Sequence, residues 1–65
     1  MQNKIAELRK EQKITQQELA DKLLVSRQTI ISLESGKYSP SLPLAHKIAS
    51  AFGRTIEGIF VFEEE

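Results

Sequence analysis

The sequence has no cysteine, no tryptophan and a single histidine, His46, among its 65 residues. Without cysteine there is no disulfide and no thiolate zinc site, and one imidazole cannot hold a metal alone. Glycine and proline are scarce, confined to Gly36, Gly53, Gly58, Pro40 and Pro43. No apolar run approaches the roughly 18–20 residues a membrane span needs. No charged start leads into an apolar secretory segment. These absences lead us to expect a soluble, cytoplasmic protein with no metal and no cofactor. They also count against an enzyme: there is no phosphate loop, and no paired carboxylates with a cleft that so short a chain could close.

What is present is one small domain spanning residues 1–65. Apolar residues make up 40% of the chain. A core of that size rarely supplies more than about 3–5 kcal/mol of net stability without a staple. With disulfides and metals excluded, close helix packing and oligomerisation remain. The net charge is zero, which taken globally argues against a nucleic-acid partner. The distribution says otherwise. Residues 1–54 carry all nine Lys and Arg against five acids, a net of +4, and residues 55–65 carry four glutamates and no base, a net of −4. A basic body with an acidic end permits a basic face.

Between the few glycines and prolines the pattern is helical. The first segment runs from about Asn3, a capping residue, to Gln12, with Ile5 and Leu8 on one face. Thr15-Gln16-Gln17-Glu18 is a capping box opening the second, in which Leu19, Ala20 and Leu23 line a face. Ser26 caps the third; Ile30 and Leu33 lie three apart, and Gly36 is placed to end the helix in the left-handed conformation. The fourth follows Ser41, tolerates Pro43 in its first turn, carries Leu44, Ala45, Ile48, Ala49 and Phe52 at helical spacing, and closes at Gly53. A short fifth spans about Thr55 to Phe60. Phe60-Val61-Phe62 reads as a strand stopped by glutamates. This divides the chain into a helical body at 1–59, a strand at 60–63 and an acidic tail at 64–65.

The second and third segments are joined by only two or three residues. So short a link forces a sharp corner, the geometry of a helix-turn-helix. The third segment opens Ser26-Arg27-Gln28-Thr29, four polar side chains projecting away from Ile30 and Leu33. Arg can donate twice to guanine, Gln can pair with adenine, and Ser and Thr reach bases or phosphates. The plainer alternative for such a turn is ordinary solvated surface.

With these blocks in place the chain resembles the Cro/C1-type (XRE) helix-turn-helix transcriptional regulators. The likeness is carried by Ile14-Thr15-Gln16-Gln17-Glu18-Leu19-Ala20 and Val25-Ser26-Arg27-Gln28-Thr29-Ile30. It continues through Leu33-Glu34-Ser35-Gly36-Lys37, Pro40-Ser41-Leu42 and Lys47-Ile48-Ala49. It covers about residues 3–60 and looks most like the compact stand-alone members of the cytolysin-repressor type. The resemblance implies a mainly α, five-helix, lambda-repressor-like DNA-binding domain with a short C-terminal β-strand. It implies a recognition helix at about 26–35 in the major groove of double-stranded DNA. Ser26, Arg27, Gln28, Thr29 and Ser32 would meet bases or adjacent phosphates, Gln16 a phosphate, and Ser35, Lys37 and Tyr38 the backbone. Arg9 and Glu34 match a frequent internal ion pair, the alternative being two surface charges.

Three positions depart from the family pattern. Leu24 stands where glycine is frequent, which suggests a turn without positive φ or one more residue of helix. Ile31 stands where many members are polar; it is a candidate for a thymine methyl, for packing, or for an isolated exposed apolar. Gly58 is expected to weaken the last helix by about 1 kcal/mol relative to Ala. His46 reads as a solvated side chain.

A lone Phe60-Val61-Phe62 strand leaves its amides and carbonyls unpaired. It needs either residues 1–3 or a second copy of itself, the plainer alternative being packing on its own helices. Ile56, Ile59, Phe60, Val61 and Phe62 are therefore the candidate interface of a homodimer, which would also suit a palindromic operator. The leading expectation is a sequence-specific regulator of transcription, a repressor. The alternative is a protein-interaction module such as the antitoxin of a toxin–antitoxin pair. The few residues after Phe60 leave little room for the toxin-binding extension usual in antitoxins.

Overall fold

The computed structural model describes residues 2–61. It contains α1 (Ile5–Glu11), α2 (Gln16–Leu23), α3 (Arg27–Glu34), α4 (Leu42–Phe52) and α5 (Ile56–Ile59). The mainly helical, five-helix expectation holds. None of these helices is long and apolar enough to cross a membrane.

The starts of the helices follow their side chains. Thr15 accepts the Glu18 amide while Glu18 accepts the Thr15 amide, completing the capping box. Ser26, Ser41 and Thr55 accept the amides of Thr29, Leu44 and Gly58. Each such cap contributes about 1 kcal/mol. Asn3 is one residue too early to be the cap of α1, a place taken by Lys4. Its Oδ1 still accepts the Ile5 amide at 3.1 Å, and its Nδ2 donates to the Leu33 carbonyl at 2.7 Å. Gly58 has a local reason: a β-carbon there would sit 3.1 Å from the capping hydroxyl of Thr55.

The helix ends were less legible. Leu24 does not avoid positive φ; it adopts φ 60, ψ 42, the left-handed region. The Val25 amide then reaches back to the Ala20 carbonyl at 3.0 Å and the Leu24 amide to Asp21 at 3.3 Å. The same pair of bonds recurs at Lys13 (φ 58) after α1 and at Gly53 (φ 64) after α4. Three helices therefore end in one motif, and only one of the three uses glycine. The corner explains why. Ser26 must begin α3 two residues after Leu24, so the chain has to reverse at once, and the left-handed residue is what reverses it.

The core draws on every helix: Ile5 and Leu8; Leu19, Ala20 and Leu23; Ile30 and Leu33; Ala45, Ile48, Ala49 and Phe52; and Ile59, followed by Phe60. α2 packs on α3 and α4, α4 on α5, and α1 on α3. Ile30 and Leu33 are fully buried, and truncating either to Ala would cost about 2–5 kcal/mol. They fix the roll of α3 and hence which of its side chains point outward. Among the described residues every buried side-chain nitrogen and oxygen is hydrogen-bonded.

At the C-terminal end Phe60 pairs with Asn3 in a single antiparallel bridge, flanked by Lys4 N–H to Ile59 O at 2.8 Å and Val61 N–H to Gln2 O at 2.9 Å. Of the residues expected to face a second copy, Ile59 and Phe60 are 1% and 2% exposed, so they belong to the protomer's own core. The reason is the bridge itself, which folds Phe60 inward beneath the start of α1. Ile56 is half-buried and Val61 is exposed. Phe62 and the tail glutamates lie outside the described residues.

Candidate nucleic-acid interface

With Ile30 and Leu33 inward, Gln28 projects directly away from the core, and Arg27 and Gln28 are both exposed. Neither makes a hydrogen bond or ion pair with any described residue. Ser26 and Thr29 behave differently. Their hydroxyls are hydrogen-bonded to each other at 2.9 Å, and Ser26 also accepts the Thr29 amide. They hold the first turn in shape while Arg27 and Gln28 extend from it.

Behind α3 stands a polar brace. Arg9 Nε donates to Glu34 Oε2 at 2.7 Å and Nη2 to Oε1 at 3.2 Å, with the two side chains only 13% and 10% exposed. Arg9 Nη1 donates to the Ile14 carbonyl at 3.0 Å, and Gln16 Nε2 donates to Glu34 Oε1 at 3.1 Å. The hydrogen bond to Glu34 raises the Arg9 pKa above its ordinary value; burial opposes this and the charge attraction reinforces it. A two-pronged guanidinium–carboxylate pair is directional as well as strong. One carboxylate thus ties the end of α1, the start of α2 and the end of α3 together.

Two open recesses flank the outward ridge of α3, and their chemistry differs. One lies toward the start of α2, where Lys13, Thr15, Gln16, Gln17 and Arg27 come together. Lys13 and Arg27 are exposed cations without partners among the described residues, and the amide-rich first turn of α2 adds partial positive charge. The other recess lies between α3 and the following loop, is about 360 Å³, and is walled by Ser26, Gln28, Thr29, Ser32 and Tyr38, all neutral. The loop is shaped by Ser35, whose hydroxyl donates to the Ser32 carbonyl at 2.9 Å and accepts the Lys37 amide at 3.4 Å, and by Gly36 at φ 80. Among the described residues no cluster of His, Asp or Glu could hold a metal ion.

The helix-turn-helix family matches residues 5–59 of this chain. The chain belongs to that family, of XRE type. Its relatives are regulators rather than enzymes. An uncharacterized HTH-type transcriptional regulator of Methanocaldococcus jannaschii is 55% identical over 65 residues, covering all of this chain and 98% of the relative. One from Methanothermobacter thermautotrophicus is 58% identical over 66 residues, covering 100% and 96%. The immunity repressor protein of Bacillus phage phi105 is 38% identical over 56 residues, 86% of this chain but 39% of its own length. The fold is shared with a transcriptional regulator from Listeria innocua whose crystal structure superposes with a TM-score of 0.78 at 23% identity; the match spans all of this chain and 64% of that one.

Within this helix-turn-helix the residues expected to contact DNA separate into two groups. Arg27, Gln28, Lys37 and Tyr38 are exposed, and their side chains, like that of Ser32, make no hydrogen bond among the described residues. Ser26, Thr29 and Ser35 spend their hydroxyls on caps and turns, and Gln16 is tied to Glu34. Ile31 is half-buried and lines neither recess. Lys13 was not singled out by the sequence reading. Its signal was a cation just before a capping box, where the chain turns back toward the first turn of α2.

Proposed function

We propose that this chain is a sequence-specific regulator that binds a palindromic operator as a homodimer and represses transcription, acting in the cytoplasm where its DNA lies. The observation that carries the reading is α3: fully anchored by Ile30 and Leu33, capped by Ser26, and presenting Arg27 and Gln28 with no partner among the described residues. In this reading α3 enters the major groove, with Arg27 and Gln28 on base edges. Lys13 and Gln16 sit on the phosphates beside the start of α2, and Lys37 on those beside the α3–α4 loop. The Arg9–Glu34–Gln16 brace sets the angle between the two helices. One helix reads only a few base pairs. Two related by a two-fold axis, about 34 Å or 10 base pairs apart, read a palindrome. Among the described residues the surface left for that contact is exposed Val61 with the flank of Ile56. Repression is supported by the likeness to the phage phi105 immunity repressor.

The test is selection of operator from randomised duplex DNA, followed by titration of alanine variants on selected and scrambled DNA at two salt concentrations. Arg27→Ala and Gln28→Ala should each lose about 1–3 kcal/mol on the operator and relax preference at particular base positions. Lys13→Ala and Lys37→Ala should weaken all sequences alike and flatten the salt dependence by about one unit for each phosphate no longer neutralised. Arg27 and Gln28 variants that bind operator as the parent does would overturn the assignment of α3.

A further inference from the structure

We infer that the neutral recess between α3 and Tyr38 receives the C5-methyl group of an operator thymine, which makes Tyr38 a specificity-determining residue rather than a backbone contact. The inference rests on α3 being the recognition helix. The two recesses differ in charge. The recess beside α2 carries Lys13 and Arg27, the equipment for a phosphate. The recess beside Tyr38 carries no charge at all, only Ser26, Gln28, Thr29, Ser32 and Tyr38. A phosphate placed there would lose water without meeting a cation.

The polar groups of this recess are also partly spent. Ser26 and Thr29 bond each other, and Ser26 accepts the Thr29 amide as well. What they leave toward the recess is largely aliphatic, and the opposite wall is the ring of Tyr38, 42% exposed on a loop that Ser35 and Gly36 shape. The thymine methyl is the one apolar feature on the major-groove edge of a base pair. Gln28 stands on the rim with its amide unengaged. A Gln pairing with adenine N6 and N7 brings a thymine methyl within the same or the neighbouring base pair, so amide and recess can read one A·T step together. Ile31, the candidate that the sequence alone offered for this contact, lies on the other flank of α3.

The experiment uses the full chain and the selected operator, replacing each thymine in turn by deoxyuridine, which deletes only the methyl. The parent protein should lose about four-fold in affinity per protomer at one thymine of each half-site, the factor that about 0.8 kcal/mol per buried methyl gives at 25 °C. Tyr38→Phe keeps the wall and should keep that sensitivity. Tyr38→Ala should bind the thymine and deoxyuridine operators equally while still preferring operator to scrambled DNA. Tyr38 is outside the core, so thermal melts should show both variants folded. Three results overturn the inference: no thymine position responds, Tyr38→Ala retains the response, or Tyr38→Phe weakens operator and scrambled DNA alike with a flatter salt slope, the mark of a phosphate. If Arg27→Ala and Gln28→Ala are also silent on the operator, it is the recognition-helix reading that has failed. If those two lose affinity and deoxyuridine does not, only the thymine recess is wrong.

Discussion

Leu24 offers a test in which the sign of the effect, not only its size, reports the structure. It sits at φ 60, ψ 42 with its side chain 84% exposed. A residue with a β-carbon in this region is disfavoured by roughly 1–2 kcal/mol. Glycine escapes that cost but gives the unfolded chain more freedom, worth about 0.4–1 kcal/mol against it. So little of the Leu24 side chain is buried that its own packing contributes a few tenths of a kcal/mol at most. Leu24→Gly should therefore be more stable than Leu24→Ala by about 0.5–1 kcal/mol, or about 3–6 °C in Tm for a domain of this length. Were Leu24 instead a last helical residue, glycine would be worse than alanine by about 1 kcal/mol. Thermal and urea unfolding of both variants, followed by far-ultraviolet circular dichroism, decides between the two. Leu24→Gly melting below Leu24→Ala would refute the left-handed corner and with it the geometry between α2 and α3. Lys13→Gly should repeat the result at the end of α1, where φ is 58.

The Arg9–Glu34 brace should show strong coupling: Arg9→Met or Glu34→Gln alone costs about 3 kcal/mol by stranding a largely buried partner, and the double variant costs less than the sum by at least about 1 kcal/mol. Additive losses in urea titrations would mean two independent charges. Asn3→Ala removes the donor to Leu33 O and the acceptor of the Ile5 amide, and should cost about 1–2 kcal/mol; a change under about 0.5 kcal/mol would show that the joint is ornamental. Val61→Lys should convert a homodimer into a monomer at about 100 μM, a concentration well above the Kd of a specific dimer, lowering Tm only by what association adds and leaving a folded monomer because Val61 lies outside the core. Sedimentation of the parent chain as a monomer at that concentration would remove the two-fold contact from the reading.

The helix starts could be read from the sequence because capping is local. Thr15 and Ser26, read as caps, each act on an amide three residues on, as does Ser41 ahead of the fourth segment; Thr55, read as the start of the fifth, is its cap, and Asn3, read as the first cap, lies one residue too early. The inward faces were legible for the same reason, as Ile30 with Leu33 and Ile48 with Phe52 show. Two of the helix ends were not. A left-handed residue is conspicuous when it is Gly53 and invisible when it is Leu24 or Lys13, because what forces it is the position of the next helix. At the C-terminal end the sequence left a choice between residues 1–3 and a second copy, and the structure takes the first at Asn3. Phe60 has the composition of an interface residue, and only its bridge to Asn3, distant in sequence, turns it into core. The site was legible in its parts, since Arg27 and Gln28 are where periodicity puts them. The two flanking recesses were not, because each is closed by a residue from another segment, Lys13 on one side and Tyr38 on the other.

The polar residues of this surface can be sorted by whether the protein itself uses them. Thr15, Ser26 and Ser35 answer local amides or carbonyls and Thr29 answers the Ser26 hydroxyl, and replacing them acts first on stability. Arg9 and Glu34 answer each other across two helices, so their effect on a ligand is through position, and Gln16 gives one amide hydrogen to Glu34 and keeps the other for a phosphate. Arg27, Gln28, Lys13, Lys37 and Tyr38 answer nothing inside the described residues. A long side chain held by no internal bond still loses rotamer freedom when it binds, and that loss is smallest where the backbone beneath it is rigid. The caps supply that rigidity under four of these side chains: Ser26 and Thr29 under Arg27 and Gln28, and Ser35 under Lys37 and Tyr38. Variants of the first two groups should therefore change unfolding and DNA affinity together, whereas variants of the third should change affinity alone.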